Sequence, residues 1–82
     1  MSNDLKILVG EAERIASPED GTVDPGTLSF NFRAALRRSD PRTRDSYSSY
    51  MQALQRAKDQ GLLSEGKDGK YRLGGQLEDE GE

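Results

Sequence analysis

Arg37, Arg38, Arg42 and Arg44 fall within eight residues of a chain whose formal net charge is −3. The chemistry open to such a cluster is the binding of anions, and the planar guanidinium fork matches phosphate and carboxylate oxygens two at a time. Little else in the sequence competes with it. Histidine and cysteine are absent, which removes the usual zinc-ligand sets, the Ser/His/Asp triad and the Cys/His pair. Carboxylates are plentiful, six of the fifteen in residues 1–32 and four beyond residue 77, but none read as a pair framed by apolar residues at one site. Gly66 and Gly69 belong to a hairpin pattern, not to a phosphate loop following a strand. The reading is of a non-enzyme with no metal, no cofactor and no small-molecule substrate.

The cation is segregated along the chain. Residues 1–32 carry net −4, residues 33–72 net +5 and residues 73–82 net −4, so a basic middle is flanked by acidic ends. With 82 residues and 32% apolar content, the chain suits one small domain held by roughly 4 to 12 kcal/mol in total. That leaves little surplus for a strained catalytic pocket. The longest apolar runs are three residues, as at Ile7 to Val9, far short of a membrane span or a signal-peptide core. A soluble, cytoplasmic protein is expected, nucleoid-associated if its ligand is DNA.

The elements that must position the arginines follow from spacing. Leu5, Leu8, Val9, Ala12, Ile15 and Ala16 recur at helical intervals and predict a first helix over about 4–16, with Ser2 or Asn3 as N-cap and Ser17-Pro18 as its stop. Ile7 falls off that stripe and reads as exposed, and Gly10 suggests close approach of a neighbouring element. Thr22-Val23 is a candidate short strand. Asp24-Pro25 and Asp40-Pro41 each suit an N-cap followed by a first helical proline, so each predicts a helix start. Leu28, Phe32, Ala35 and Leu36 share one face of the second helix, which ends near Arg38, although residues 28–32 also alternate as a strand would.

Tyr47, Tyr50, Met51, Leu54 and Ala57 form the inward stripe of a third helix over about 41–60, closed by Gly61 at C′. Leu62-Leu63 then leads into a hairpin. Asp68-Gly69 supplies the positive φ angles of its turn, and Leu63, Tyr71 and Leu73 face inward. Residues 76–82 carry one large apolar side chain and four acids, a composition that predicts a disordered acidic tail after a domain spanning 1–75.

This order is mainly α with a small β-hairpin, an α+β class, and over residues 4–73 it resembles a winged helix-turn-helix domain: three helices plus a wing. The most specific stretch is ALQRAKDQGLLSEGKDGKYRL, residues 53–73. It is similar to the junction in that superfamily where a recognition helix ends at glycine, two apolar residues open the wing and a Lys/aromatic/basic/Leu strand returns.

The resemblance implies a role for the cluster. In a helix-turn-helix, the turn between the second and third helices and the start of the third face the duplex, which is where Arg37, Arg38, Arg42 and Arg44 fall. The outward face of the third helix then shows Asp45, Ser48, Ser49, Gln52, Gln55 and Arg56. Lys67, Lys70 and Arg72 form a wing contact. The expected ligand is double-stranded DNA, bound by a regulator or architectural protein that inserts the 41–60 helix in the major groove. Each feature also has a plain structural reading: Arg37 and Arg38 meet a helix dipole, and Asp40 and Asp45 serve as cap and first-turn acid. The alternative function is a winged-helix interaction module or complex subunit that does not bind DNA. Its homodimer or protein contact would run through the first helix, with Ile7 and Phe30 as apolar features.

Overall fold

Asn3–Ile15 forms the first helix, α1, in a computed structural model that describes residues 3–73. The acidic tail and the Ser2 cap lie outside the described residues. Leu5, Leu8 and Ala12 are buried on the predicted face of α1, and Glu11 beside them is buried too, accepting a hydrogen bond from Arg14 Nη1 at 3.5 Å. Two expectations fail here. Ile7, not Val9, packs against the core as a partly buried flank. Around Gly10 a Cβ would meet nothing within 4 Å, so no neighbouring element presses on it.

The short strand Thr22–Val23, β1, leads into α2, Pro25–Ser39. Asp24 caps α2, its carboxylate accepting from Thr27 N at 2.9 Å and from Thr27 Oγ1 at 3.1 Å, and Pro25 takes the first turn, where a missing N–H costs nothing. The segment 28–32 is therefore helical, and the alternation read there is the coincidence of a helix that buries Leu28, Phe32 and Leu36.

Asp40 does the opposite of what its proline suggests. It ends α2, its N–H donating to Leu36 O, while its carboxylate accepts from Arg42 N in a tight turn. The third helix, α3, is Ser46–Asp59, and Asp45 is its cap, accepting from Ser48 N and Ser48 Oγ at 2.9 Å each. The predicted start at 41 is corrected to 46. A helix begun at Pro41 would add more than a turn of polar residues with nothing to bury, and tertiary packing supplies most helical stability.

The stripe of α3 is also corrected. Its buried residues are Ser46, Tyr50, Ala53, Leu54 and Ala57, whereas Tyr47 is 54% and Met51 44% exposed. Small side chains at 46, 53 and 57 let α3 approach its neighbours closely. The line of large side chains through Tyr47 and Met51 lies a fraction of a turn away from the buried face.

Gly61 stands at C′ with φ +75, as predicted; Gly61 N donates to Lys58 O and Leu62 N to Ala57 O, the paired bonds of a Schellman ending. Leu63–Glu65 (β2) and Tyr71–Leu73 (β3) then form the hairpin. Its turn is longer than a two-residue one: Gly69 alone takes positive φ, Gly69 N donates to Gly66 O, and Gly66 N donates to Lys70 O. β1 pairs antiparallel with β3, giving a three-stranded sheet of order β1-β3-β2. The architecture is α+β, compatible with a winged-helix layout, and its core joins all three helices to Val23, Leu63 and Tyr71.

Candidate nucleic-acid interface

The arginine cluster occupies the end of α2, the turn and the approach to α3. Arg37, Arg38, Arg42 and Arg44 are all exposed. The carboxylates among them are largely committed to backbone. Asp45 holds two hydrogen bonds to Ser48, and these N–H and O–H donors lower its pKa below the usual aspartate value. Asp40 accepts from Arg42 N and lies 3.9 Å from Arg42 Nε, a contact at the edge of ion-pair range on a side chain almost wholly in water. Among the described residues, Arg37, Arg38 and Arg44 have no carboxylate within ion-pair distance. The connection therefore presents uncompensated cation.

Rotation of the α3 stripe sets what this helix offers. With Ser46, Tyr50, Ala53 and Ala57 inward, a 100° step per residue points Ser48, Gln52 and Gln55 outward. All three are exposed, as is Arg56, while Ser49 is half-buried. Gln55 Nε2 donates to Asp59 Oδ1 at 2.9 Å, so this amide is partly engaged within its own helix. Tyr47 and Met51 flank the outward line on one side and Arg56 on the other. Neither Tyr47 nor Met51 was among the residues expected on this surface.

The α2 and α3 helices are fixed to each other by a residue the sequence did not single out. Arg33 is half-buried; its Nε donates to Ser46 Oγ at 3.2 Å and its guanidinium lies 5.9 Å from the centre of the Tyr47 ring. No sequence signal singles Arg33 out, because Ser46 needs a buried polar partner only where the inward line of α3 runs through it. Tyr50 packs beside Tyr47 and against Phe32, with ring centroids 6.4 and 5.7 Å apart. Burial pushes the Tyr50 pKa up to about 12.

The hairpin cations divide. Lys67 is exposed and free of ion pairs among the described residues. Lys70 is exposed but lies in the field of Asp20 and Asp24, where its charge adds to the hydrogen bonds from Thr22 and Thr27 that chiefly lower their pKa values. Arg72 reaches Asp68 at 3.8 Å and flanks Gly66, where an added Cβ would meet its guanidinium. Lys58, unremarked in the sequence, ties α3 to the sheet through Glu65 at 3.3 Å and the Tyr71 ring at 5.3 Å. Of the three wing residues, Lys67 is the one left most open to a ligand.

The described residues contain no group of three or more acidic side chains placed to hold a metal ion, and no helix long and apolar enough to cross a membrane. No protein-family model, curated protein or solved structure matches this chain.

Proposed function

We propose that this chain is a winged helix-turn-helix protein that binds duplex DNA, with α3 entering the major groove and the arginines of the α2–α3 connection holding phosphates. The observation that carries the reading is the state of that connection: Arg37, Arg38 and Arg44 are exposed and unpaired, beside Asp40 and Asp45, whose carboxylates already accept backbone N–H groups. The dipole at the end of α2 accounts for Arg37 and Arg38 in part, but it gives no role to Arg44, which lies outside that helix.

Ser48, Gln52 and Gln55 suit the outward line of α3, since small hydroxyls allow close approach and amides can pair with base edges. Arg56 and Lys67 extend the phosphate contact on either side. Lys70 and Arg72 contribute less, because their charges are partly met by Asp20, Asp24 and Asp68. The acids of the N-terminal third lie mainly on other elements, so the net charge of −3 does not describe this surface.

Charge reversal tests the reading. Arg42→Glu with Arg44→Glu should abolish duplex binding while leaving the fold intact, because both side chains are exposed. Unchanged binding by the double variant would remove the claim.

A second reading, the interaction module, is favoured by one observation: Phe30 is 72% exposed on α2. Ile7 no longer supports it, since that side chain packs against the core. An apolar protein contact would therefore run through α2 rather than through the first helix.

A further inference from the structure

Phe30 is the most exposed large apolar side chain among the described residues. With Ala34, one turn further along α2, it lies on the surface that Arg33, Arg37 and Arg38 complete as a shallow hollow. Arg37 and Arg38 have no carboxylate partner there among the described residues. The patch thus asks for a ligand with one apolar group and several negative charges.

The sequence supplies one close by. Residues 74–82 read GGQLEDEGE, in which Leu77 is the single large apolar residue and Glu78, Asp79, Glu80 and Glu82 follow it. We propose that this acidic segment docks intramolecularly on α2, with Leu77 against Phe30 and Ala34 and its carboxylates facing Arg37 and Arg38.

Reach permits the contact. Arg72 is paired with Thr22 across the sheet, and Thr22 stands two residues before the Asp24 cap of α2. Phe30 is about 9 Å along that helix from its cap at 1.5 Å per residue. Adding the strand spacing and two extended residues places Arg72 and Phe30 within roughly 20 Å of each other. The five residues from Arg72 to Leu77 span up to about 17 Å, before the lengths of the two side chains are counted. Gly74 and Gly75 allow the turn that the path needs. Tethering favours the contact further, since a short flexible link holds the segment at an effective concentration on the order of millimolar.

The docked segment would neutralise Arg37 and Arg38, half of the arginine cluster, and so weaken any anion binding there. The contact itself does not depend on the DNA reading. It is electrostatic at the rim and apolar at the centre, so salt should loosen it in part and loss of Leu77 more fully.

The test is amide chemical-shift mapping on the full chain, without ligand. Leu77→Ser, and separately replacement of Glu78, Asp79, Glu80 and Glu82 by their amides, should move the signals of Phe30, Arg33, Ala34, Arg37 and Arg38 and leave the exposed Glu13 on α1 in place. Phe30→Ser should reciprocally move the signals of residues 76–80; its exposure means that folding should survive. Shift changes confined to residues near the altered positions, or falling on another face, would overturn the proposal. So would changes that vanish on dilution, because the segment would then be seated on a second copy. Duplex titration of the same variants separates the two claims: tail release without any DNA binding would leave the docking intact and remove the proposed function.

Discussion

Arg33 Nε donates to Ser46 Oγ at 3.2 Å, linking the middle of α2 to the first residue of α3. Ser46 is 2% exposed, so this bond satisfies a buried hydroxyl at the point where the two helices of the proposed DNA-binding unit meet. Losing one partner of such a bond costs about 1 to 3 kcal/mol, because the other is left unsatisfied. Arg33→Ala is therefore expected to destabilise by about that much. In a chemical-denaturation cycle with Ser46→Ala, the double variant should lose less than the two single losses combined. Strict additivity would show that the bond does not couple the helices.

The two glycines of contrasting geometry give opposite expectations. Gly61 holds φ +75 at the end of α3, a conformation that costs an L-residue about 1 to 2 kcal/mol. Gly10 lies inside α1 with open space where a Cβ would stand, and alanine in a helix interior is favoured by up to about 1 kcal/mol. Thermal unfolding should show Gly61→Ala destabilised and Gly10→Ala stabilised. The reverse order would contradict both local assignments.

Acid should act through two helix caps and one turn aspartate. Asp20, Asp24 and Asp45 have folded pKa values below the ordinary 3.8, chiefly because each carboxylate accepts a backbone N–H, from Thr22, Thr27 and Ser48 respectively. A depressed carboxylate pKa contributes stability that is complete above the unfolded value and is lost as pH falls through the folded one. The unfolding midpoint should hold down to about pH 4 and drop below it. Asp45→Asn keeps an acceptor while removing the titration, and should flatten part of that drop. An identical acid profile for wild type and Asp45→Asn would rule out Asp45 as a contributor.

Alkali should act through the core. Burial raises the Tyr50 pKa to about 12 from an ordinary 10.0. For a group whose folded pKa is raised, stability is complete below the unfolded value and declines as pH rises through the folded one. Stability should therefore fall above pH 10, and Tyr50→Phe, which keeps the packing on Phe32, should reduce that fall. Spectrophotometric titration should show a late component near pH 12 that Tyr50→Phe removes; a curve unchanged by Tyr50→Phe in that range would contradict the burial.

The sequence and the structure agree where one strong local rule acts alone. Asp24-Pro25 opened a helix, Gly61 closed one, and Leu5, Leu8, Leu28, Phe32, Leu54 and Leu63 are buried as their spacing predicts. Disagreement arises where a local signal competes with packing. Asp40-Pro41 has the same cap chemistry as Asp24-Pro25, but the residues after it offer nothing to bury, so Asp45 takes the cap. The Tyr47/Met51 stripe lost to Ser46 and Ala53 because close approach of helices rewards small residues, which hydrophobicity does not rank highly. The site shows the same division: the exposure of the 37–44 arginines was legible in the sequence. The release of Arg37, Arg38 and Arg44 from Asp40 and Asp45 was not, because it depends on which backbone N–H groups those carboxylates meet.

The most direct measurement is fluorescence anisotropy of a labelled random-sequence duplex titrated with the full chain at several salt concentrations. Six cations remain most open to phosphate: Arg37, Arg38, Arg42, Arg44, Arg56 and Lys67. If five or six of them displace counterions, log affinity should fall against log salt with a slope near −5, at about −0.9 per phosphate neutralised. Arg42→Glu with Arg44→Glu should abolish the binding. An absence of binding at low salt, or binding whose strength does not change with salt, would contradict the assignment of the α2–α3 connection as a phosphate-binding surface.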